Sequence, residues 1–293
     1  MASASSDGDA VGKQPLEKPI VPEAYIKAHK LQRDLNIKSL DLLQMSFGTG
    51  PNPSQQFIDV GCGTGDFTRQ ELLPRCRPCG LMVATDVSPE MVKYSKENFA
   101  HPQIAHEVHD IESDVSGLVK KYGKFERAYS FFALNWVEDL GAALRNVAAL
   151  ITDEGVCLLV FGARTTFFVV WRKIVELDRW KPYKGVVERF IPSSQDIEDR
   201  LALIPYMAGL LESADLKPRT CDVMSHDIID GDVDEFIQME LAADPIAPLL
   251  SKESKTLFET DMTEIIRKMW SEKLTGDPFY IQDIFLVHAS KIL

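Results

Sequence analysis

Residues 57–66 read Phe57-Ile58-Asp59-Val60-Gly61-Cys62-Gly63-Thr64-Gly65-Asp66. A short apolar run that ends in three alternating glycines is a strand entering a tight turn, and the residues beyond it open a helix. Glycine is needed where the backbone turns sharply and a ligand must come close to the main chain. Outward from this turn, strand-like runs recur at 80–85, 103–109, 125–132 and 155–161. Helical stretches fall between them at 66–73, 89–99, 115–122 and 138–151. Strands alternating with helices of this length make βαβ units and a mostly parallel sheet, and strands buried on both faces read as continuous apolar runs. The fold class is therefore α/β, a doubly wound Rossmann-like sheet.

Before the turn, the apolar spacing over 22–44 predicts one amphipathic helix or two short ones, and the Gly/Pro-rich stretch 46–54 a loop. After 161 the alternation stops. Helices are expected at 165–180, 195–215 with a break near Pro205, 233–243 and 251–273. Strands are expected at 217–225 and 280–290. The domain reading is a disordered tail over 1–22 and a single domain over 23–293. Within that domain lie N-terminal helices (23–54), a cofactor-binding core (55–162) and helical cap insertions (163–215 and 232–275).

Composition narrows the class. The chain has 293 residues, 45% apolar and 26% charged, with a net charge of −12. That is ordinary globular composition, and the acidic balance argues against a nucleic-acid surface, which needs clustered Lys and Arg. No window approaches the roughly 18 uninterrupted apolar residues of a membrane span. The polar start has no apolar segment of the secretory kind. Five cysteines are an odd number for a disulfide framework, and Cys76 and Cys79 lack two further ligands for zinc, so free thiols in a reducing cytoplasm are expected.

Asp86 follows the second strand, 21 residues after Gly65, where a carboxylate can accept hydrogen bonds from two ribose hydroxyls. Asp110 follows the third strand, where an acid can accept from an adenine amino group with Ile111 against the ring. Asp59 and Asp66 flank the glycine turn. Two carboxylates there would repel the pyrophosphate of a dinucleotide. They suit a ligand with a cationic amine and no phosphate, and S-adenosylmethionine is such a ligand. His101, His106 and His109 read as incidental, since His106 and His109 alternate across a strand. No metal-ligand cluster is apparent.

These residues resemble the class I S-adenosylmethionine-dependent methyltransferases in three segments: 58–65, 84–91 and 110–112. By that resemblance the cofactor-binding set is Asp59, Gly61, Cys62, Gly63, Gly65, Asp86, Val87, Met91, Asp110, Ile111 and Phe131. The family also implies an antiparallel last strand. The text around 30–34, 90–94, 110–114, 134–136, 153–155 and 188–192 is similar to the arthropod juvenile hormone acid and farnesoic acid O-methyltransferases. That resemblance implies that Gln32 and Trp136 hold a substrate carboxylate. The family often has His before this Trp, where the chain has Asn135. An apolar tail would be lined by Asn135, Phe161, Phe167, Phe168, Trp171 and Phe190, with Val169, Val170 and Trp180 nearby. The partner implied is a small hydrophobic acid. A carboxylate acceptor needs no general base, because it is already ionised at neutral pH. Methylation of another small acid or an amine, and a non-catalytic binding protein, stand as rivals.

Overall fold

The computed structural model describes residues 21–44, 47, 50–228, 232–273 and 280–292. The expected tail thus lies outside the described residues up to residue 20, and so do parts of the 46–54 loop. Two helices open the described chain, α1 (Pro22–Ala28) and α2 (Lys30–Gln44). The core then alternates. Its strands are β1 (Gln56–Val60), β2 (Leu81–Asp86), β3 (Ile104–Val108), β4 (Phe125–Phe131) and β5 (Ile151–Thr165). Between them stand α3 (Leu73–Arg75, after a π turn at Thr68–Leu72), α4 (Pro89–Asn98), α5 (Ser116–Tyr122) and α6 (Leu140–Leu150). The remaining elements are α7 (Thr166–Ile174), α8 (Lys184–Glu188), α9 (Arg200–Glu212), β6 (Leu216–Ile228), α10 (Val233–Ala243), α11 (Lys252–Glu272) and β7 (Tyr280–Lys291).

The seven strands form one sheet in the order β3-β2-β1-β4-β5-β7-β6. The five core strands pair in parallel, and β7 runs antiparallel between β5 and β6. The order reverses between β1 and β4, so a crevice opens past the carboxyl ends of these strands, where ligands of such sheets bind. Four of the five β1 residues are buried, as a strand covered on both faces requires. Among the described residues no helix is long and apolar enough to cross a membrane.

Local chemistry fixes where the core helices begin. Ser88 caps α4, its Oγ accepting from the Met91 N–H at 3.2 Å, with Pro89 preset at the first helical position. Asp139 caps α6 by accepting from the Ala142 N–H at 2.8 Å. Several boundaries differ from the sequence expectation: α9 starts at Arg200 instead of 195, and β6 runs on to Ile228 instead of 225. Strand β5 starts at Ile151, which pairs with Phe125 of β4, and runs to Thr165, because β7 pairs with it from Val156 to Thr165. Helix α7 stops at Ile174 instead of continuing to residue 180. Helix α9 passes through Pro205 unbroken. The carbonyl that proline leaves unpaired, four residues back, belongs to Leu201 in the first turn, a residue that is 76% exposed.

Three apolar clusters hold the molecule. One fills the sheet face under α6 and α9, and a second lies under α2 on the opposite face. The third is separate and joins α7, α8, α10 and α11 into a cap. Inside the cap, the indole N–H of Trp171 donates to Glu240 at 3.0 Å and that of Trp180 to Asp261 at 2.6 Å.

Candidate active site

The glycine turn is shaped by backbone sterics. Gly61, Gly63 and Gly65 have φ of +77°, +55° and +77°, the left-handed region that other residues avoid. A Cβ at Gly61 would lie 2.0 Å from that of Ala133, and one at Gly65 1.8 Å from the Ser95 Oγ. These two glycines are thus packing requirements of the fold. Gly63 differs, since a Cβ there would point at Tyr25, 3.6 Å away, into the gap between the turn and α1. The turn is tied to β2 by the N–H groups of Gly61 and Cys62, both donating to the Thr85 carbonyl at 2.8 Å. Asp86 completes the tie. Its Oδ2 accepts from the Gly63 N–H and its Oδ1 from the Ser88 N–H, each at 2.9 Å. The carboxylate is thereby oriented at the strand end.

Asp59 and Asp66 do not act as the pair of open charges expected from the sequence. Asp66 is pinned by the Arg33 guanidinium at 2.7 Å and by His29 at 3.1 Å, with the Thr64 hydroxyl donating at 2.6 Å. Burial raises its pKa, but the hydrogen bonds from His29 and Thr64 and the charges of His29 and Arg33 outweigh it, so the carboxyl sits below its ordinary value. Its work is to latch α1 and α2 onto the turn, aided by Arg33 to Glu71 at 2.8 Å. Asp59 is buried and accepts from the Thr68 hydroxyl at 2.6 Å. Burial, opposed by that hydrogen bond and helped by the Asp86 charge, pushes its pKa up to about 7. Asp59 and Cys62 line a small cavity between the turn and the N-terminal helices, with Arg33 and Asn36 on the other wall.

That cavity shares Tyr25, Gly61, Gly63 and Phe131 with a larger cleft. Asp86, Val87, Met91, Asp110, Ile111 and Phe131 all lie on the cleft's wall, as does His109, which the sequence reading set aside. Its Nε2 is buried without a partner among the described residues, and burial lowers its pKa despite the nearby Asp110 and Asp114 charges. Asp110 is set by the Glu112 N–H donating to its Oδ1 at 3.0 Å. The Asn146 amide donates to the Ile111 and Ser113 carbonyls at 2.7 and 2.9 Å. Glu112 accepts from the Glu138 and Asp139 N–H groups, joining the loops after β3 and β4.

A second cavity adjoins the cleft, and Tyr25, Phe132 and Trp136 belong to both. Gln32 lies on its wall, and the Tyr25 hydroxyl donates to the Gln32 Oε1 at 3.2 Å. Burial, with the Asp66 and Asp86 charges adding to it, raises the Tyr25 pKa, so the phenol keeps its proton and remains a donor. Trp136 stands on a single 3-10 turn, 6.0 Å from Trp171 and 5.9 Å from Phe190 between ring centres. Phe167, Phe168 and Trp171 of α7 line the cavity, and so do Met239, Ala242 and Ala243 of α10. Asn135 reaches its edge, and its Oδ1 accepts from the Gly162 N–H at 3.1 Å.

Several expected residues fall elsewhere. Phe161 is buried on the far sheet face against Phe285 at 5.4 Å, because side chains alternate along β5 and Gly162 faces Asn135. Phe190 lines the cleft instead of the second cavity. Gly65 lines neither and packs on Ser95. Val169 points outward, 38% exposed, and Val170 and Trp180 are in the cap core. Cys76 and Cys79 are free and buried, with the Cys76 thiol 3.5 Å from the Tyr129 hydroxyl. The sequence reading missed Tyr25, His29, Thr165, Gln282 and the α10 residues. Tyr25, His29 and Gln32 recur at helical spacing, a signal that was legible. Thr165 and Gln282 carried none.

Residues 57–155 match the methyltransferase domain family. Over that segment the strand order, the glycine turn and the strand-end acids resemble those of class I S-adenosylmethionine-dependent methyltransferase domains. In sequence the chain resembles juvenile hormone acid O-methyltransferase. It is 35% identical to that of Bombyx mori over 142 residues, 48% of this chain and 50% of that protein. It is 29% identical to that of Drosophila melanogaster over 170 residues, 57% of each. A third relative, the malonyl-acyl-carrier-protein O-methyltransferase of Acetivibrio thermocellus, is 27% identical over 145 residues, 50% of this chain and 46% of that protein. The chain spans about half the length of these curated relatives. The fold is shared with a Haemonchus contortus phosphoethanolamine N-methyltransferase, at a TM-score of 0.54 and 13% identity over 94% of this chain and 59% of the other.

Proposed function

We propose that this protein transfers a methyl group from S-adenosylmethionine to a carboxylate oxygen of a hydrophobic acid, giving a methyl ester. The acceptor class is a farnesoic or juvenile hormone-type sesquiterpenoid acid. The observation that carries the reading is the junction of the two cavities at Trp136, with Gln32 on the wall of the second.

The cofactor fits the residues present. A Cβ at Gly63 would project into the gap that opens toward Tyr25, and Asp59 offers a carboxyl to a cationic amine. Asp86 would hold the ribose hydroxyls, and Asp110 and Ile111 the adenine. When bound, S-adenosylmethionine supplies a methyl on a positively charged sulfur, and attack by the acceptor oxygen leaves the C–S electron pair on a neutral thioether. The chain's own part is positioning. The Tyr25 hydroxyl occupies the Gln32 Oε1, which leaves the amide N–H groups to donate. The Trp136 indole N–H is a donor only, so the two suit one carboxylate. The acid is ionised at neutral pH, and rate comes from alignment and exclusion of water.

The tail side is apolar and poor in unpaired cations. Arg164 pairs with Asp283, Arg172 with Asp196 and Arg179 with Asp261, so these guanidiniums are committed away from a polycarboxylate. Both juvenile hormone acid O-methyltransferase relatives, by their names, act on an acid of this kind.

The test is incubation with S-adenosylmethionine and farnesoic, fatty or small polycarboxylic acids, scored by mass spectrometry. Methyl esters of the apolar monocarboxylic acids are expected, and Trp136→Phe, which keeps a ring but loses the N–H, should lower kcat/KM about tenfold or more. Absence of ester from every acid overturns the reading. S-adenosylmethionine binding in that case, with no ester and no methylated amine, would leave a binding protein.

A further inference from the structure

The cap buries two carboxyls that the proposed reaction does not use. Glu240 of α10 is fully buried, and Asp244, just past the helix end, is 5% exposed. Each has one oxygen engaged. The Glu240 Oε2 accepts from the Trp171 indole N–H at 3.0 Å, and the Asp244 Oδ1 accepts from the Ile246 and Ala247 N–H groups at 2.6 and 3.0 Å. The other oxygens, Glu240 Oε1 and Asp244 Oδ2, are buried and have no hydrogen-bond partner among the described residues. Four residues apart along a helix, the two side chains share a face, with Cβ atoms about 5–6 Å apart. Burial raises both pKa values, and the Asp244 charge raises that of Glu240 further.

The neighbouring helices supply no cation to offset this. Their titratable side chains that are not exposed are Tyr25 of α1, Arg172 of α7, and Glu259 and Asp261 of α11. Tyr25 donates to Gln32, Arg172 pairs with Asp196, and Asp261 accepts from Trp180. Two like charges so close in an apolar core cannot both form, so the pair keeps a proton. A protonated carboxyl donates as well as accepts, and a proton between Glu240 Oε1 and Asp244 Oδ2 gives each of these oxygens a partner.

From Glu240 a line of contacts leads to the reaction. Trp171 lines the second cavity, and its ring centre lies 6.0 Å from that of Trp136 with 41° between the planes. Trp136 stands on a lone 3-10 turn after β4, and rings of the cap, Trp171 and Phe190, flank it. A leucine at position 240 would suit an apolar core, but only a hydrogen-bond acceptor fixes which way the Trp171 indole faces. We infer that Glu240, through a proton shared with Asp244, is a positioning residue for methyl transfer: it orients Trp171, and Trp171 holds Trp136 against the acceptor. This rests on the proposed carboxyl methylation and names a group outside both cavities on which that reaction depends.

Steady-state kinetics on an esterified acid, with infrared spectroscopy, test it. Glu240→Leu should lower kcat about tenfold, with KM for S-adenosylmethionine unchanged. Glu240→Gln, whose amide can accept from Trp171 and donate to Asp244, should rescue most of that loss. Trp136→Phe combined with Glu240→Leu should lose no more than Trp136→Phe alone, since Glu240 acts through Trp136. At neutral pH the wild-type infrared spectrum should carry a protonated-carboxyl band that Glu240→Gln lacks. Should Glu240→Leu fail to fold, Trp171→Phe, which loses the same hydrogen bond, takes its place in the cycle. Losses that multiply in the double variant, no rescue by Glu240→Gln, or the absence of that band overturns this inference and leaves the methylation reading standing. No ester from any acid with the wild-type protein overturns both.

Discussion

Asp59 shows how much one enclosed carboxyl depends on its surroundings. Its pKa is raised to about 7 by burial, so it is half protonated near neutrality in the ligand-free protein. Only the ionised form attracts a cationic amine, and that form is lost as pH falls below about 7. S-adenosylhomocysteine, which keeps the amine, should therefore bind more weakly at pH 6 than at pH 8 in calorimetry, with Asp59→Asn flattening the dependence. The stability sign follows from the same shift. A carboxyl with a raised folded pKa contributes stability below its ordinary value and loses it as pH rises through about 7. Asp59→Asn should thus raise the Tm of the ligand-free protein more at pH 8 than at pH 4. Asp86 and Asp110 were legible because each stands at a strand's carboxyl end, Asp86 closing β2 and Asp110 just past β3. The quenching of Asp66 was not, because Arg33 and His29 reach it from helices more than thirty residues earlier in the chain.

At the scale of elements, the glycine turn is a steric device before it is a binding site. Gly61→Ala would add a left-handed alanine, costing about 1–2 kcal/mol, and a Cβ 2.0 Å from that of Ala133. Urea denaturation should show a loss of at least that strain. Adding Ala133→Gly should recover the part due to the clash and not the part due to φ. Full recovery would mean that φ carries no penalty here. Existence and order of the elements were readable, since parallel strands buried on both faces announce themselves as apolar runs. Their ends were less so. β5 reaches Thr165 because β7 pairs with it, and α9 passes Pro205 where the affected carbonyl belongs to an exposed residue. β7 lies at the far end of the chain, outside any window that contains β5.

The whole molecule is a sheet domain carrying a cap with its own apolar core. Phe258 of α11 is fully buried there, 5.1 Å from Trp180, and the cluster reaches Trp136 and Phe167 at the second cavity but none of the glycine turn. Phe258→Ala should cost about 3–5 kcal/mol by chemical denaturation. Below its unfolding temperature the variant should raise KM for the acid while S-adenosylhomocysteine affinity stays near wild type. Equal loss of both would show that cap and turn behave as one packing unit.

Sequence alone determined the alternating α/β core, the glycine turn and the strand-end acids Asp86 and Asp110. These are local, since a turn's glycines and a strand's last residues are set by backbone sterics and spacing over a few positions. The tertiary structure decided which acids stay charged, which aromatics line a cavity and which fill a core. It turned Phe161 away, brought Thr165 in through a one-residue shift in register, and set Gln282 beside it from the other end of the chain. Those outcomes depend on which strands meet and in what register, and on the distant charges a buried group finds beside it. No window of sequence contains both partners.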